Sequence, residues 1–279
     1  MSSPRRTIVT AADHKFFRTL WQMLCDAARH GLERAHHFLV FDLGLMPGER
    51  HALATRFGWC EFRPFDFSRH PPHVRDLTIF AWKPLAVSEI VLNGCALALW
   101  LDSATLFRGR ASLHAIFERV ERHGVFALAG QTPLARCCDP RTLAWLRVAP
   151  PDLHKPYRAG GVLGFDGRRE DVRDIVTSWR DAALLPAVIA PAGFDPRTHK
   201  FDQAIVTALL CRAEREGRVV LGHDEIDIGS AAPAPWISTR NKVAPWMPIA
   251  LDPVVRAYYA VAKAVDRWVL RARRWQIRT

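Results

Sequence analysis

Five apolar residues in a row, Leu97, Ala98, Leu99, Trp100 and Leu101, end on Asp102 and then on the small residues Ser103, Ala104 and Thr105. A run this short and this apolar fits a buried strand of an α/β sheet rather than a surface helix. In an open α/β sheet, ligands bind outside the carboxyl ends of the strands. Asp102 stands at such an end. It is therefore either a site residue or the N-cap of the segment that follows.

The chain before and after this stretch alternates in character. Residues 7–10 are a short β-branched run leading through Ala11 and Ala12 to Asp13, and Phe17, Leu20, Trp21, Leu24 and Ala28 then fall on one helix face. Asp13 suits the cap of that helix and Gly31 its end. Further strands are expected at 37–41 (before Asp42), 59–67, 125–129, 161–165 and 218–221. Helices are expected at 47–57, opened by Pro47, at 79–91, with Trp82, Lys83 and Pro84 near its start, at 113–122, at 171–183, and from His199 through residue 210. Residues 131–160 are rich in Pro and Arg and read as an insertion of loops and short helices, amphipathic near 143–146, and 186–196 reads as loop. Strands alternating with helices predict an α/β fold: a mixed, mainly parallel central sheet with helices on both faces. There is no internal repeat, no GxGxxG and no Walker sequence, which sets aside the familiar dinucleotide and P-loop motifs.

The pattern changes near residue 230, so the sequence divides into residues 1–230, the α/β unit, and 231–279. The second part opens with a Pro- and Ala-rich linker containing Trp236 and Trp246. Val254, Val255, Tyr258, Tyr259, Ala262, Val265, Trp268, Val269 and Trp275 then mark one helical face, and Arg256, Lys263, Arg267, Arg271, Arg274 and Arg278 another. This is a basic amphipathic helix. It fits either an anionic membrane surface or packing on the domain. The whole chain carries a net charge of +11, a property that speaks to partners rather than fold. No helix-turn-helix, zinc or RNP-type motif accompanies it, so no nucleic-acid partner is expected. The six cysteines are scattered without CxxC spacing, as in a reducing compartment. With no signal-like start and no run of about twenty apolar residues, a cytoplasmic protein, peripheral at the inner membrane face, is expected.

Several polar residues sit where chemistry would need them. Asp102 can hold a divalent cation on a diphosphate, or ribose hydroxyls, or it can close an Asx-turn. Asp202 and Gln203 open a helix after a loop, as caps or as groups facing an acceptor hydroxyl or a reacting sugar. His199, three residues earlier, can ligate a metal or bind phosphate, or be one of twelve ordinary histidines. Lys83 can neutralise a phosphate or be solvated. Thr10, Ala11 and Asp13 lie at the first strand end, where a nucleotide base packs.

Taken together, residues 7–13, Trp82-Lys83-Pro84, Trp100 to Ala104, residues 161–165 and His199 to Gln203 resemble, in this order and at these intervals, the nucleotide-diphospho-sugar transferases of GT-A type, over roughly residues 5–228. The resemblance implies a Rossmann-like GT-A domain and a glycosyltransferase that moves a sugar from a nucleotide-diphospho-sugar to a hydroxyl acceptor, a glycan or lipid-linked acceptor in cell-surface glycan synthesis. It implies Thr10, Ala11, Asp13, Lys83, Asp102 and Ser103 for donor binding, and Asp202 and Gln203 for catalysis beside donor sugar and acceptor. It implies a Mn or Mg ion on Asp102, with His199 assisting. That family's motif is Asp-x-Asp, and here Ala104 stands at the second carboxylate position. The variant motif leaves a second reading, a catalytically silent nucleotide-sugar-binding module of the same fold.

Overall fold

The computed structural model describes residues 6–224 and 237–239. Its centre is a six-stranded mixed sheet. In chain order the strands and helices are β1 (Arg6–Ala12), α1 (Phe17–Arg29), β2 (His37–Asp42), α2 (Pro47–Arg56), β3 (Cys60–Pro64), α3 (Trp82–Val91), β4 (Leu97–Leu101), β5 (Leu106–Phe107), α4 (Arg110–His123), β6 (Val125–Pro133), α5 (Pro140–Trp145), α6 (Pro150–Leu153), β7 (Pro156–Asp166), α7 (Glu170–Ala183), α8 (Pro186–Ile189), α9 (Phe201–Arg215) and β8 (Ile237–Ser238). The sheet order is β3-β2-β1-β4-β7-β6. The first four strands are parallel, β7 runs antiparallel to β4, and β6 is antiparallel to β7.

Side-chain alternation explains why helices cover both faces. In β4, Leu97, Leu99 and Leu101 point to one face, where Leu20, Met23 and Leu24 of α1 and Leu113, Ile116 and Phe117 of α4 complete the core. Ala98 and Trp100 point to the other, against Leu85 and Ala86 of α3, Val172, Ile175 and Trp179 of α7, and Ile205 and Leu209 of α9. A strand apolar at every position is what two buried faces require. Asp102 continues the period-2 alternation on the same side as Trp100.

Between β1 and β4 the order of connection reverses. The chain leaves β1 toward β2 and β3, then returns through α3 to β4 on the other flank. That makes a crevice at the carboxyl ends of these two strands, the place where an open α/β sheet receives ligands.

Several boundaries differ from the sequence reading: the expected loop at 186–196 opens with a short helix, α8, since Pro186 suits a first helical turn, and α3 starts at Trp82 rather than at residue 79. The third strand covers Cys60–Pro64 instead of 59–67, and a one-turn helix, Phe67–Arg69, follows. The expected loop insertion gives up both ends to long strands: β6 runs on to Pro133 and β7 starts at Pro156. The expected strand at 218–221 does not form. The Arg218 N–H returns to the Ala213 carbonyl after Gly217, which has a φ of 71°, and the Val220 N–H then makes one long bond of 3.4 Å to the His123 carbonyl rather than a ladder. The linker and basic helix expected over 231–279 lie outside the described residues, apart from β8 and Thr239. β8 pairs antiparallel with β5, and β5 is tied to α1 by Asp26, whose carboxylate accepts the Phe107 N–H at 2.7 Å.

Candidate active site

A cavity of about 250 Å³ opens at the switch point. Ala11, Ala12 and Asp13 enter it from the end of β1, and Trp100, Asp102, Ser103 and Ala104 from the end of β4. Lys83 and Trp82 come from α3, Gly160 and Gly161 from β7, and Gln203 from α9. Phe16, Phe80 and Tyr157 make its wall largely aromatic, and Thr239 closes one side.

The floor is a charge triad. Lys83 lies in the first turn of a helix buried nearly all round, and is itself only 4% exposed. Its ammonium donates to Asp102 Oδ1 at 3.0 Å and to the Gly160 carbonyl at 3.1 Å. Asp202 Oδ2 lies 3.6 Å away, an ion-pair distance beyond hydrogen-bond length. An ammonium has three N–H groups; two are hydrogen-bonded, to Asp102 and to the Gly160 carbonyl, and Asp202 Oδ2 stays a buried acceptor without a hydrogen bond. The rings of Phe80 and Trp100, each with its centroid 5.4 Å from the ammonium, complete its surroundings. The two carboxylates hold Lys83 above its ordinary pKa against the opposing effect of burial. The reading of Lys83 as a solvated lysine therefore fails. An isolated ammonium cannot be buried in an apolar helix, and this one is paired.

The two acids of the triad differ. Asp102 keeps its side chain half exposed to the cavity. Its Oδ1 accepts from Lys83 and from the Trp100 indole at 2.9 Å, while Oδ2 faces Gly161, where a Cβ would come within 2.9 Å of it. Asp202 is 3% exposed and is not among the residues lining the cavity. Burial pushes its carboxyl up to about 6, with Lys83 opposing the rise and Asp102 adding to it. Asp202 therefore sits behind Lys83, and its neighbour Gln203 is the residue of the pair that reaches the cavity.

Two residues with positive φ aim this triad. Phe80, two residues before α3, has a φ of 56°, and Phe201, the residue before Asp202, has 46°. For a bulky L residue that conformation costs roughly 1–2 kcal/mol. The two rings pack on each other, with centroids 6.2 Å apart, and Phe201 also packs on Phe194 and His199. Aromatic contact thus holds both helix starts in place.

His199 belongs to that packing rather than to a metal site. It is fully buried. Nδ1 accepts the Asp139 N–H at 3.1 Å, and Nε2 donates to the Ile189 carbonyl at 2.8 Å. A backbone N–H only donates and a carbonyl only accepts, so the ring is a neutral Nε2–H tautomer with no lone pair left for a cation. Burial lowers its pKa, which agrees with the neutral form. The expectation that His199 assists Asp102 in holding a metal is corrected accordingly. No cluster of three His, Cys, Asp or Glu groups suited to a cation occurs among the described residues. Asp102, with Ala104 two residues on and Oδ1 already engaged twice, offers one free oxygen. Among the described residues, this single oxygen does not make up a divalent cation site.

The other expected contacts divide. Ser103 is buried at the cavity wall, its hydroxyl 3.3 Å from that of Thr19. Asp13 reaches the cavity and caps the one-turn helix before α1, accepting the Phe16 N–H at 3.1 Å. Thr10 is fully buried in β1 and does not line the cavity. The sequence reading missed Phe16, Phe80, Tyr157 and Gly160. The adjacent glycines 160 and 161 were the available signal for a close approach, since side chains there would strike Gln203 and Asp102.

No protein-family model matches this chain, and no curated protein matches it in sequence. Solved structures do match it in shape. An active-site mutant of LgtC superposes with a TM-score of 0.51 at 18% identity, covering 92% of this chain and 95% of that one. The galactosyltransferase LgtC in complex with donor and acceptor sugar analogs gives 0.50 at 18% identity, over 93% and 95%. Core-mannan synthase A from Aspergillus fumigatus, in its Mn/GDP form, gives 0.50 at 8% identity, over 75% and 70%. The match to WbbM, a bifunctional glycosyltransferase, covers 38% of that chain. The fold is thus the GT-A, Rossmann-like fold of nucleotide-sugar glycosyltransferases.

Proposed function

We propose that this chain is a glycosyltransferase that takes its sugar from a nucleotide-diphospho-sugar and delivers it to a hydroxyl acceptor. The observation that carries the reading is the cavity at the β1–β4 switch point, where Asp102, locked by Lys83 and Trp100, meets an aromatic wall and the β1 end. The GT-A fold supports it. In this reading Ala11 and Asp13 take the nucleotide, and the free oxygen of Asp102 and the Ser103 region accept donor hydroxyls. Gln203 faces the sugar. Asp202 acts through Lys83 as a positioning residue and does not touch the acceptor.

In the transfer, the bond from the anomeric carbon to the diphosphate oxygen breaks and its electron pair leaves with the diphosphate. The acceptor oxygen forms the new bond to that carbon, and its proton passes to the nucleoside diphosphate or to water. Charge develops on the departing diphosphate, and a fixed cation in a site that excludes water stabilises it. Among the described lining residues the one cationic side chain is Lys83, whose charge is shared with Asp102 and Asp202.

The reading extends to a cytoplasmic enzyme peripheral at the inner membrane face, building cell-surface glycans on lipid-linked acceptors. Its support is the basic, aromatic-studded sequence of residues 250–279. No helix among the described residues is long and apolar enough to cross a membrane. Flotation with anionic vesicles tests the docking: deletion of 250–279 is expected to abolish co-flotation, and undiminished binding refutes it.

The function itself is tested with a panel of UDP- and GDP-sugars, reading nucleoside diphosphate release with and without hydroxyl acceptors. The expected result is turnover of one donor class, lowered by about a hundredfold in Asp102→Ala, or roughly 2.7 kcal/mol of transition-state stabilisation. Binding without turnover across many acceptors assigns the silent module instead. Absence of binding overturns both.

A further inference from the structure

The cavity carries an aromatic ring that burial does not explain. We propose that Phe80 is the acceptor platform of the site: its open ring surface takes the C–H face of a pyranose, and a hydroxyl of that pyranose receives the transferred sugar. This assignment, which rests on the sugar-transfer reading, names both the acceptor class and the residue that selects it.

The conformation of Phe80 is the first observation. Its φ of 56° is one that glycine adopts freely and a bulky L residue only under strain. A large side chain tolerates such a backbone when full burial offsets the cost. Phe80 lines the cavity and stays 38% exposed, so that offset is incomplete. The ring is nevertheless fixed. The Phe80 N–H donates to the Leu77 carbonyl at 3.4 Å, and the Phe80 carbonyl accepts the Lys83 N–H at 3.1 Å. Trp82 and Phe201 pack on the ring, with centroids 6.4 and 6.2 Å away, and the Lys83 ammonium lies 5.4 Å from its centre. A strained, well-supported and half-open aromatic residue at a ligand cavity is positioned for what enters it.

The second observation is its place. α1 and α3 pack on opposite faces of the sheet. The residues ahead of these helices therefore flank the cavity from opposite sides, Ala11 to Asp13 and Phe16 before α1, Phe80 before α3. The nucleotide is assigned to the first side. Gln203, which faces the sugar, lies in the first turn of α9, two residues after the Phe201 whose ring packs on Phe80. Phe80 thus stands on the sugar side, and its exposed surface is what a second substrate arriving from solvent meets. The face of a phenyl ring is electronegative and its stacking is directional. A pyranose presents a flat patch of C–H bonds to such a face, and an acyclic alcohol does not.

Transfer from the panel of UDP- and GDP-sugars to octyl glucoside, galactoside and mannoside, and to octyl glycerol, tests the proposal. The tail is common to all four, so only the ring differs. The expected result is transfer to at least one pyranoside in preference to octyl glycerol. In Phe80→Leu the KM for that pyranoside is expected to rise about tenfold, and in Phe80→Tyr, which keeps the ring, to stay within about twofold. The dissociation constant of the matching nucleoside diphosphate, by titration, is expected to agree within about twofold among the three proteins. Phe80→Gly, free of strain at this φ, replaces the Leu variant if the latter does not fold. An unchanged acceptor KM in Phe80→Leu, or a preference for octyl glycerol, overturns the inference and leaves the sugar-transfer reading standing. So does a tenfold weaker nucleoside diphosphate with an unaltered acceptor KM, which places Phe80 at the nucleotide instead. Turnover of no donor with any acceptor overturns both.

Discussion

Removing the ammonium of Lys83 tests the physics of the floor directly. Lys83→Met keeps a side chain of similar length in a helix that is otherwise buried and apolar, and deletes the one charge that offsets Asp202, 3% exposed, and Asp102. Breaking a buried pair by removing one partner costs about 3–5 kcal/mol, because the remaining charge stays buried without compensation. The loss has a pH signature. In the wild type, burial raises Asp202 from 3.8 to about 6. The folded state therefore holds a proton there that the unfolded state has released. Stability from this group is present below about pH 4 and is lost as the pH rises to about 6, by roughly 3 kcal/mol. Lys83, raised above 10.5, contributes stability throughout that range and loses it only when the pH climbs through its folded value. Without Lys83 the main influence lowering the Asp202 pKa is gone. That pKa then moves above 6, and protonation relieves the unpaired charge in mildly acidic solution. Urea unfolding at pH 8 is expected to show the full loss of about 3–5 kcal/mol, and at pH 5 a clearly smaller one. Lys83→Met combined with Asp202→Asn is expected to recover more than half of the loss at pH 8. A single variant within about 1 kcal/mol of wild type at pH 8 refutes the reasoning, as does an equal loss at both pH values.

Two further substitutions separate binding from support. Gly161→Ala places a Cβ 2.9 Å from Asp102 Oδ2; nucleoside diphosphate affinity is expected to fall by about tenfold, about 1.4 kcal/mol, with little change in melting temperature, and an unchanged dissociation constant by titration rules out the Asp102 contact. His199→Ala removes a fully buried ring, two backbone hydrogen bonds and the packing behind Phe201; a loss of about 2–4 kcal/mol in denaturant is expected, whereas unaltered stability contradicts its structural role.

Periodicity was enough to read the sheet but not its edges. The apolar runs at β1, β2 and β4 marked strands because both faces of each are buried, and hydrophobic pattern reports burial. The 218–221 segment carries the same residue types, Val219 and Leu221 buried among them, yet its contact with the neighbouring backbone is a single long hydrogen bond, from the Val220 N–H to the His123 carbonyl at 3.4 Å, which makes no ladder. Pairing is a property of the partner strand, and no local pattern records it. The same limit applies to β6 and β7, whose ends pass through Pro- and Arg-rich sequence that reads as loop until the two strands meet.

At the site the division is sharper. An acid at the end of a buried strand, with a small residue at the second carboxylate position, was legible from the sequence, because strand ends and residue types are local facts. Lys83 stood out in the sequence too, an ammonium on a segment with few other polar residues. Where these residues sit and what they touch was decided by packing. Asp102 and Lys83 are nineteen positions apart, and Asp202 a further hundred along the chain. They meet in space because α3 and α9 pack on the face of the sheet to which Trp100 of β4 points. Burial and charge pairing arise only there: Lys83 lies buried against Asp102 and Asp202, Asp202 stays out of the cavity lining, and His199 commits both ring nitrogens to backbone groups.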